Sequence, residues 1–443
     1  MFNSRSRKRA FMAAGLTLPL FLAACSGGGS NDGSSEPGAE KPAGEQVTLT
    51  MLADNAENQV LMTEAVIADF EAKNPDIKIN FETRPGGGDG DNIVKTRLAT
   101  GEMTDLFQYN SGSLFQQINP SEYVLPITGE PFLDAVNESF FPTVSVGDEI
   151  FGVPHAATLM AGGVMYSTSI YEELGLEIPL TWDDFIANSE KVKESGKTGI
   201  IQTYADTWTS QLFVLGDFHN VLANDPDFPD NYTANKINFS DSPYAIRGFE
   251  HLQEAFEKEL LNRDFAAATY DQGLLMLANG EGAHYPILTF AIGALTEEQL
   301  ENVGFFALPG DDAAKNGMTS WMPDGLYISK DTKHPDEAKR FLEYMTTVES
   351  CSTRDQAIGS AGPYLIDGCE LPDSAPKAAK DMATYVDAGT LSPALEFLSP
   401  VKGPSLEQIT VEVGSGIATA VDGAKRYDED VKKQAQQLGL EGW

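Results

Sequence analysis

Near position 47 apolar and polar residues alternate: Val47, Leu49 and Met51 are interleaved with Thr48 and Thr50, the period of a strand. The polar stretch Asp54-Asn55-Ala56-Glu57-Asn58 follows. A helix is then predicted from about Glu57 to Lys73, with Val60, Leu61, Ala65, Ile67, Ala68 and Phe70 as its apolar positions and Asn74-Pro75 as its stop. Ile77, Ile79 and Phe81 alternate again as a second strand. A β-α-β unit of this kind predicts a sheet that is parallel in part. A further helix from about Asn92 to Gly101 leads to a short strand, Leu106 to Tyr109. Asn110-Ser111-Gly112-Ser113 forms the loop at its carboxyl end.

From Phe151 the pattern changes. The stretch FGVPHAATLMAGGVMYSTS holds two apolar runs that read as strands crossing between lobes. Thr181 caps a helix through about Ser195, with Asp184 at the capping-box position and Gly196 as its stop. Asp241 is expected to cap another, with Pro243 in its first turn and Ala245, Phe249, Leu252 and Phe256 as its buried stripe. A strand returns near Leu326 to Ser329. His334-Pro335 then opens a helix whose Ala338, Phe341, Leu342 and Met345 face inward. The order is α/β throughout, with no internal repeat.

The amino end narrows the compartment. Arg5, Arg7, Lys8 and Arg9 precede an apolar run from Phe11 to Ala24, too short for a stable membrane span but ordered like an export signal. Leu22-Ala23-Ala24-Cys25 resembles the lipobox of bacterial lipoproteins. That resemblance implies cleavage after residue 24, a lipidated Cys25 and anchoring by acyl chains. Residues 25–45, rich in Gly, Ser, Pro and Glu, read as a flexible tether. Its reach is roughly 25 Å.

Composition excludes some functions. The formal net charge is −36, and removing the four basic residues of the leader takes it to −40. Such a field repels nucleic acid and anionic headgroups. At 42% hydrophobic and 9% aromatic, the remaining chain of about 400 residues can build two cores. Cys351 and Cys369 are then the remaining cysteines, and in an exported chain they predict a disulfide. No HExxH helix, GxSxG elbow or P-loop is present. The acidic loops GGGDGDN and NDPDFPDN lack the EF-hand pattern and read as solvated surface, so neither a metal nor a cofactor is expected.

Four segments carry a family resemblance: SIYEELGLEIPLTWDDFIANSEKVKESG (169–196), HPDEAKRFLEYMTTVES (334–350), GEMTDLFQYNSG (101–112) and AQQLGLEGW (435–443). In order and spacing they resemble the family 1 extracellular solute-binding proteins, the carbohydrate-type receptors of ABC importers. The resemblance implies a two-lobed, type II periplasmic-binding-protein-like α/β fold with ligand held between hinged lobes. It implies no catalysis. It implies a monomer, lipid-anchored on the outer face of a Gram-positive cell membrane, that serves a permease. The expected division is residues 46–154 for the first lobe and 155–286 for the second. Residues 287–335 would return to the first lobe, and 336–443 would complete the second.

Ligands of open α/β sheets sit outside the carboxyl ends of strands. That rule selects Asp54, Asn55 and Asn58 after the first strand and Asn110 and Ser111 after the third. Sugar hydroxyls call for directional amides and carboxylates, and pyranose C–H faces call for flat rings. Trp208, Tyr285 and Trp321 are the ring candidates, with Asp324 beside Trp321. Trp182 and Trp443 are expected to pack rather than bind. Tyr285 departs from the family, which carries a Gly-Ser-Trp-like stretch where this chain has Ala283-His284-Tyr285. His155 could hydrogen-bond ligand from the hinge or serve the hinge itself. Two alternatives remain at this point: the same fold with a cationic ligand such as a polyamine, and a secreted glycoside hydrolase.

Overall fold

A computed structural model describes residues 46–443; the leader, Cys25 and the tether lie outside the described residues. The first sheet begins as the alternation predicts. Strand β1 (Val47–Asp54) lies parallel to β2 (Ile77–Arg84) in unbroken register, with Asp54 opposite Arg84. Helix α1 (Glu57–Lys73) makes the crossover, and α2 (Gly87–Thr100) leads to β3 (Leu106–Tyr109), parallel to β1. Strand β4 (Gly152–Pro154) joins the far edge of the same sheet. The chain then crosses at residues 155–159 into β5 (Met160–Ser167), the centre of a second sheet.

That second sheet is filled by strands from distant segments. Helix α3 (Trp182–Glu194) precedes β6 (Thr198–Ile200), and α4 (Arg247–Glu257) precedes β7 (Gly282–Leu288), β8 (Val303–Ala307) and β9 (Met318–Trp321). After a crossing at 322–324, β10 (Gly325–Ile328) returns to the first sheet, antiparallel to both β3 and β4. The first sheet thus runs β2-β1-β3-β10-β4. Helices α5 (Pro335–Met345) and α6 (Val348–Ile358) pack on α1. The last passage returns to the second sheet, where β11 (Leu391–Pro393) pairs with β9 and helices α7 (Leu406–Gly414) and α8 (Ala420–Gln437) pack against α4.

The lobe boundaries therefore differ from the sequence expectation. Residues 287–335 do not return as one block: β8 and β9 stay in the second sheet and only β10 enters the first. Likewise α5 and α6 cover the first lobe, not the second. Apolar patterning marks a buried element, but it carries no label for the sheet that buries it.

Three helices also differ locally. On α1 the buried face is Asn58, Met62, Thr63, Val66, Ile67 and Phe70, whereas Leu61 is 49% exposed. Helix α2 starts five residues before the predicted Asn92, inside the glycine-rich stretch. Helix α4 starts at Arg247; before it, Ser242 caps a turn by accepting from the amide of Ala245 at 3.1 Å. The α3 cap is as predicted, with the amide of Asp184 donating to Thr181 Oγ1 at 3.2 Å. Cys351 and Cys369 form the predicted disulfide across an 18-residue separation, tying α6 to the segment that follows it. Trp182 is buried and donates to Glu254, and Trp443 donates to the carbonyl of Thr233.

One apolar cluster lies under the first sheet around Leu49, Phe70 and Phe341. A second lies under the helices of the second lobe around Trp182, Phe249 and Tyr427. A third runs from Phe107 and Tyr327 of the first sheet to Met165 and Tyr285 of the second, so the lobes share buried surface at the crossings. No described helix is long and apolar enough to cross a membrane.

Candidate functional site

The carboxyl ends of β1, β2 and β3 converge beside the crossing at 322–324. Asp54 ends β1, and its carboxylate accepts from the amide of Ala56 at 2.8 Å. Its own amide donates to Gln108 Oε1 at 2.8 Å, and the same amide side chain turns its Nε2 to the carboxylate of Asp324. The backbone of Asp324 accepts from the amide of His155 at 2.9 Å, which ties two crossings together. Ser111 donates to the carbonyl of Pro323 at 2.9 Å, and Asn110 donates to Asp91 Oδ1 at 3.0 Å. Arg84, 4% exposed, ends β2 with its guanidinium 3.8 Å from Asp54 Oδ2. It also donates to the carbonyls of Pro85 and Gln108.

The second lobe faces this array with rings and one ion pair. Trp321 ends β9 at 7% exposure and meets Phe397 edge to face, with ring centroids 5.6 Å apart. The Lys402 ammonium lies 6.0 Å from the Trp321 ring centroid and 2.7 Å from Glu396 Oε2. A cavity of about 10 Å³, lined by Val214, Phe218, Trp321, Glu396, Lys402 and Tyr427, lies beside them. That is space for about one water, and its lining comes from the second lobe alone. The lobes touch at Gly112. A Cβ there would stand 2.5 Å from the carbonyl oxygen of Glu396 and 2.8 Å from the Phe397 ring.

A second aromatic group comes from three segments. The Trp208 ring lies 5.4 Å from Tyr270 and 5.8 Å from Phe290, and all three are half-buried. The amide of Tyr270 donates to Asp206 Oδ2 at 2.6 Å. The turn that carries Phe290 abuts the start of α1, where a Cβ on Gly293 would lie 3.5 Å from Asn58 Nδ2.

Burial dominates the electrostatics. Asp324 is pushed up to about 7 by desolvation; Arg84 opposes the shift, while Asp54, Asp91 and Glu396 add to it. Asp91 is raised for the same first reason, against Arg84, Lys95 and Lys402. His155 is pushed down to about 3 by burial and by the Arg354 and Arg84 guanidiniums, so its imidazole is neutral.

Of the sequence candidates, Asp54, Asn110, Ser111, Trp321 and Asp324 lie at or beside the contact between the lobes, whereas Trp208 packs on Phe290, whose turn abuts Asn58. Two of the remaining three are packed into the interior. Tyr285 is fully buried on β7 with its hydroxyl 2.6 Å from Thr203 Oγ1, so it is a core residue and no platform. His155 is 1% exposed with its ring 3.3 Å from Thr63 Oγ1, which assigns it to the hinge. Asn55 is exposed beside Asp54, and its backbone amide donates to the carbonyl of Arg84 at 2.8 Å. Sequence reasoning missed Arg84, Asp91, Gln108, Glu396, Lys402, Tyr270 and Phe290. Arg84 sits at a strand's carboxyl end and was open to the rule that found Asp54. Glu396 and Lys402 carried no local signal, because a late return of the chain brings them in.

Convergent amides and carboxylates in a groove between two α/β lobes, flanked by half-buried rings, define a binding cleft. The sequence profile described as "Bacterial extracellular solute-binding protein" matches residues 54–350, two thirds of the 443-residue chain. The chain belongs to that family. It is 26% identical over 384 residues to the multiple sugar-binding protein of Streptococcus mutans, covering 84% of this chain and 86% of that one. It is 23% identical over 351 residues to the diacetylchitobiose binding protein DasA of Streptomyces coelicolor, covering 76% and 77%. The fold is similar to a solved chitin oligosaccharide binding protein, with a TM-score of 0.75 at 19% identity over 89% of this chain and all of the other. A raffinose complex of RafE gives 0.71 at 23% identity, over 88% and 99%.

Proposed function

We propose that this protein is a lipid-anchored receptor on the outer face of the cell membrane. It captures a sugar or oligosaccharide between its lobes and hands it, unaltered, to an ABC-type permease. The observation that carries this reading is the pairing of two ring groups, Trp321–Phe397 and Trp208–Tyr270–Phe290, with the polar array of Asp54, Gln108, Asn110 and Asp324. Rings take the C–H faces of a pyranose and the array takes its hydroxyls. Relatives named as binding proteins for multiple sugars and for diacetylchitobiose support a saccharide. Cys25 would hold the anchor, and the 25–45 tether would let the receptor turn toward its permease.

A thermal-shift screen with raffinose, stachyose, melibiose, diacetylchitobiose and spermidine tests the ligand class. A ligand at 100 times its Kd adds about 2.7 kcal/mol to stability. Stabilisation by a saccharide and not by spermidine is expected. Stabilisation by spermidine alone would replace the sugar with a cationic ligand.

A further inference from the structure

We propose that Glu407 is a ligand-binding residue of the cleft, whose carboxylate accepts from a pair of saccharide hydroxyls and selects neutral sugars that carry them. The inference rests on the receptor reading and adds a residue to the same cleft. Glu407 stands in the first turn of α7, on the second lobe. The first lobe faces it with the start of α2. A Cβ added to Gly88 would lie 3.7 Å from Glu407 Oε1, and no other atom of the described residues comes within 4 Å of it. This start of α2 follows directly on Arg84 at the carboxyl end of β2. The neighbouring Gly86 abuts Asp54, where an added Cβ would stand 2.8 Å from Oδ2. The exposed glycine-rich stretch GGGDGDN is therefore a lip of the cleft, and Glu407 is the side chain across from it.

Its other contacts tie Glu407 to the rings. Its carbonyl accepts from Ser210 Oγ at 3.1 Å, and Ser210 belongs to the turn Thr207–Gln211 that carries Trp208. Ser210 and Thr410 of α7 share a hydrogen bond at 2.7 Å, which fixes the start of the helix against that turn. The segment that brings Phe397 and Lys402 beside Trp321 runs directly into α7. Glu407 thus stands on the wall that joins the two ring groups.

The carboxylate has capacity to spare. A carboxylate offers about four acceptor positions. Glu407 is half-buried, and among the described residues its side chain accepts from Gln408 Nε2 alone, at 2.8 Å. No lysine or arginine of the described residues pairs with it, whereas Glu396 is paired with Lys402 and Glu412 with Arg426. An open carboxylate at the edge of a groove bounded by rings takes O–H donors. Two adjacent hydroxyls of one pyranose match its two oxygens, and bonds to a charged acceptor are shorter and stronger than neutral ones. The same charge repels a carboxylated or phosphorylated sugar. The ligand class this selects is a neutral saccharide with a free pair of adjacent hydroxyls.

The test is titration calorimetry with raffinose, stachyose, melibiose and diacetylchitobiose on the unaltered protein, Glu407→Ala and Gly88→Leu. Glu407→Ala is expected to lose at least about 10-fold in affinity for the saccharide that binds, with the Tm of the sugar-free protein unchanged. Glu407→Gln, which keeps the shape and loses the charge, serves if that variant does not fold. Gly88→Leu covers the carboxylate from the opposite lobe and is expected to reproduce the loss. Undiminished affinity in the Glu407 variant overturns the inference and leaves the receptor reading standing. So does a loss of affinity matched by a fall in the sugar-free Tm, which assigns Glu407 to the fold. Full affinity in Gly88→Leu overturns the placement of the hydroxyl pair between Glu407 and the glycine lip. A protein that binds no saccharide at all defeats the receptor reading, and the inference with it.

Discussion

Gly112→Ala separates closure from folding. Gly112 has φ of 69° and ψ of −139°, a conformation that side chains with a Cβ rarely adopt. An alanine there costs about 1–3 kcal/mol of backbone strain whichever way the lobes lie. It also places a methyl group 2.5 Å from the Glu396 carbonyl and 2.8 Å from the Phe397 ring, a clash that exists only when the lobes meet. Relieving it means displacing the turn that carries Phe397, at an overpacking cost of about 1–3 kcal/mol. The expected loss of affinity is therefore roughly 5- to 140-fold.

Gly129→Ala is the control. Its φ is 81°, and nothing lies within 4 Å of the added Cβ, so it carries strain without a clash. Calorimetry with the saccharide found by thermal shift reads the affinity, and differential scanning calorimetry reads the fold. Both variants should lose a similar amount of stability, and only Gly112→Ala should lose binding. Unchanged affinity in a folded Gly112→Ala protein, or equal loss in the control, would refute the contact between the lobes as the site of closure.

Other consequences follow from the same contacts. Trp321→Ala should weaken saccharide binding by about 1–3 kcal/mol, read by calorimetry, with the fold retained. Tyr285→Phe should leave affinity unchanged and cost about 1 kcal/mol of stability through the lost Thr203 hydrogen bond, read by urea denaturation. Serine at both Cys351 and Cys369 should lower stability by about 3 kcal/mol in the same assay. Asp217 is fully buried and pushed up to about 8 by desolvation, so the fold prefers its acid form. Its contribution to stability is lost as pH rises from the ordinary carboxylate range to about 8. Asp217→Asn should therefore raise Tm at pH 8 and do so less at pH 5.

Local periodicity made the first half of the fold legible. The β1-α1-β2 unit, the Thr181 cap and the inward face of α5 all declare themselves within a few residues. Long-range partners do not. Val303–Ala307 and Gly325–Ile328 are both apolar strands, yet they enter different sheets, because pairing is decided by β5 and β3, more than 130 residues upstream. The site divides in the same way. Asp54, Asn110 and Ser111 follow from the carboxyl-end rule, whereas Glu396 and Lys402 reach the cleft through a late return of the chain. Tyr285 shows the limit for rings: Ala283-His284-Tyr285 names the strand, but only the packing of β7 against Thr203 shows that the phenol points into the core.

Small-angle scattering of the tether-free protein, titrated with raffinose, stachyose and diacetylchitobiose and followed by chromatography of the sugar, tests the central claim most directly. A receptor that closes on its cargo becomes measurably more compact with at least one of them and returns the sugar intact. Curves that superimpose for every saccharide, or a sugar recovered as its cleavage products, would contradict a binding cleft between two hinged lobes.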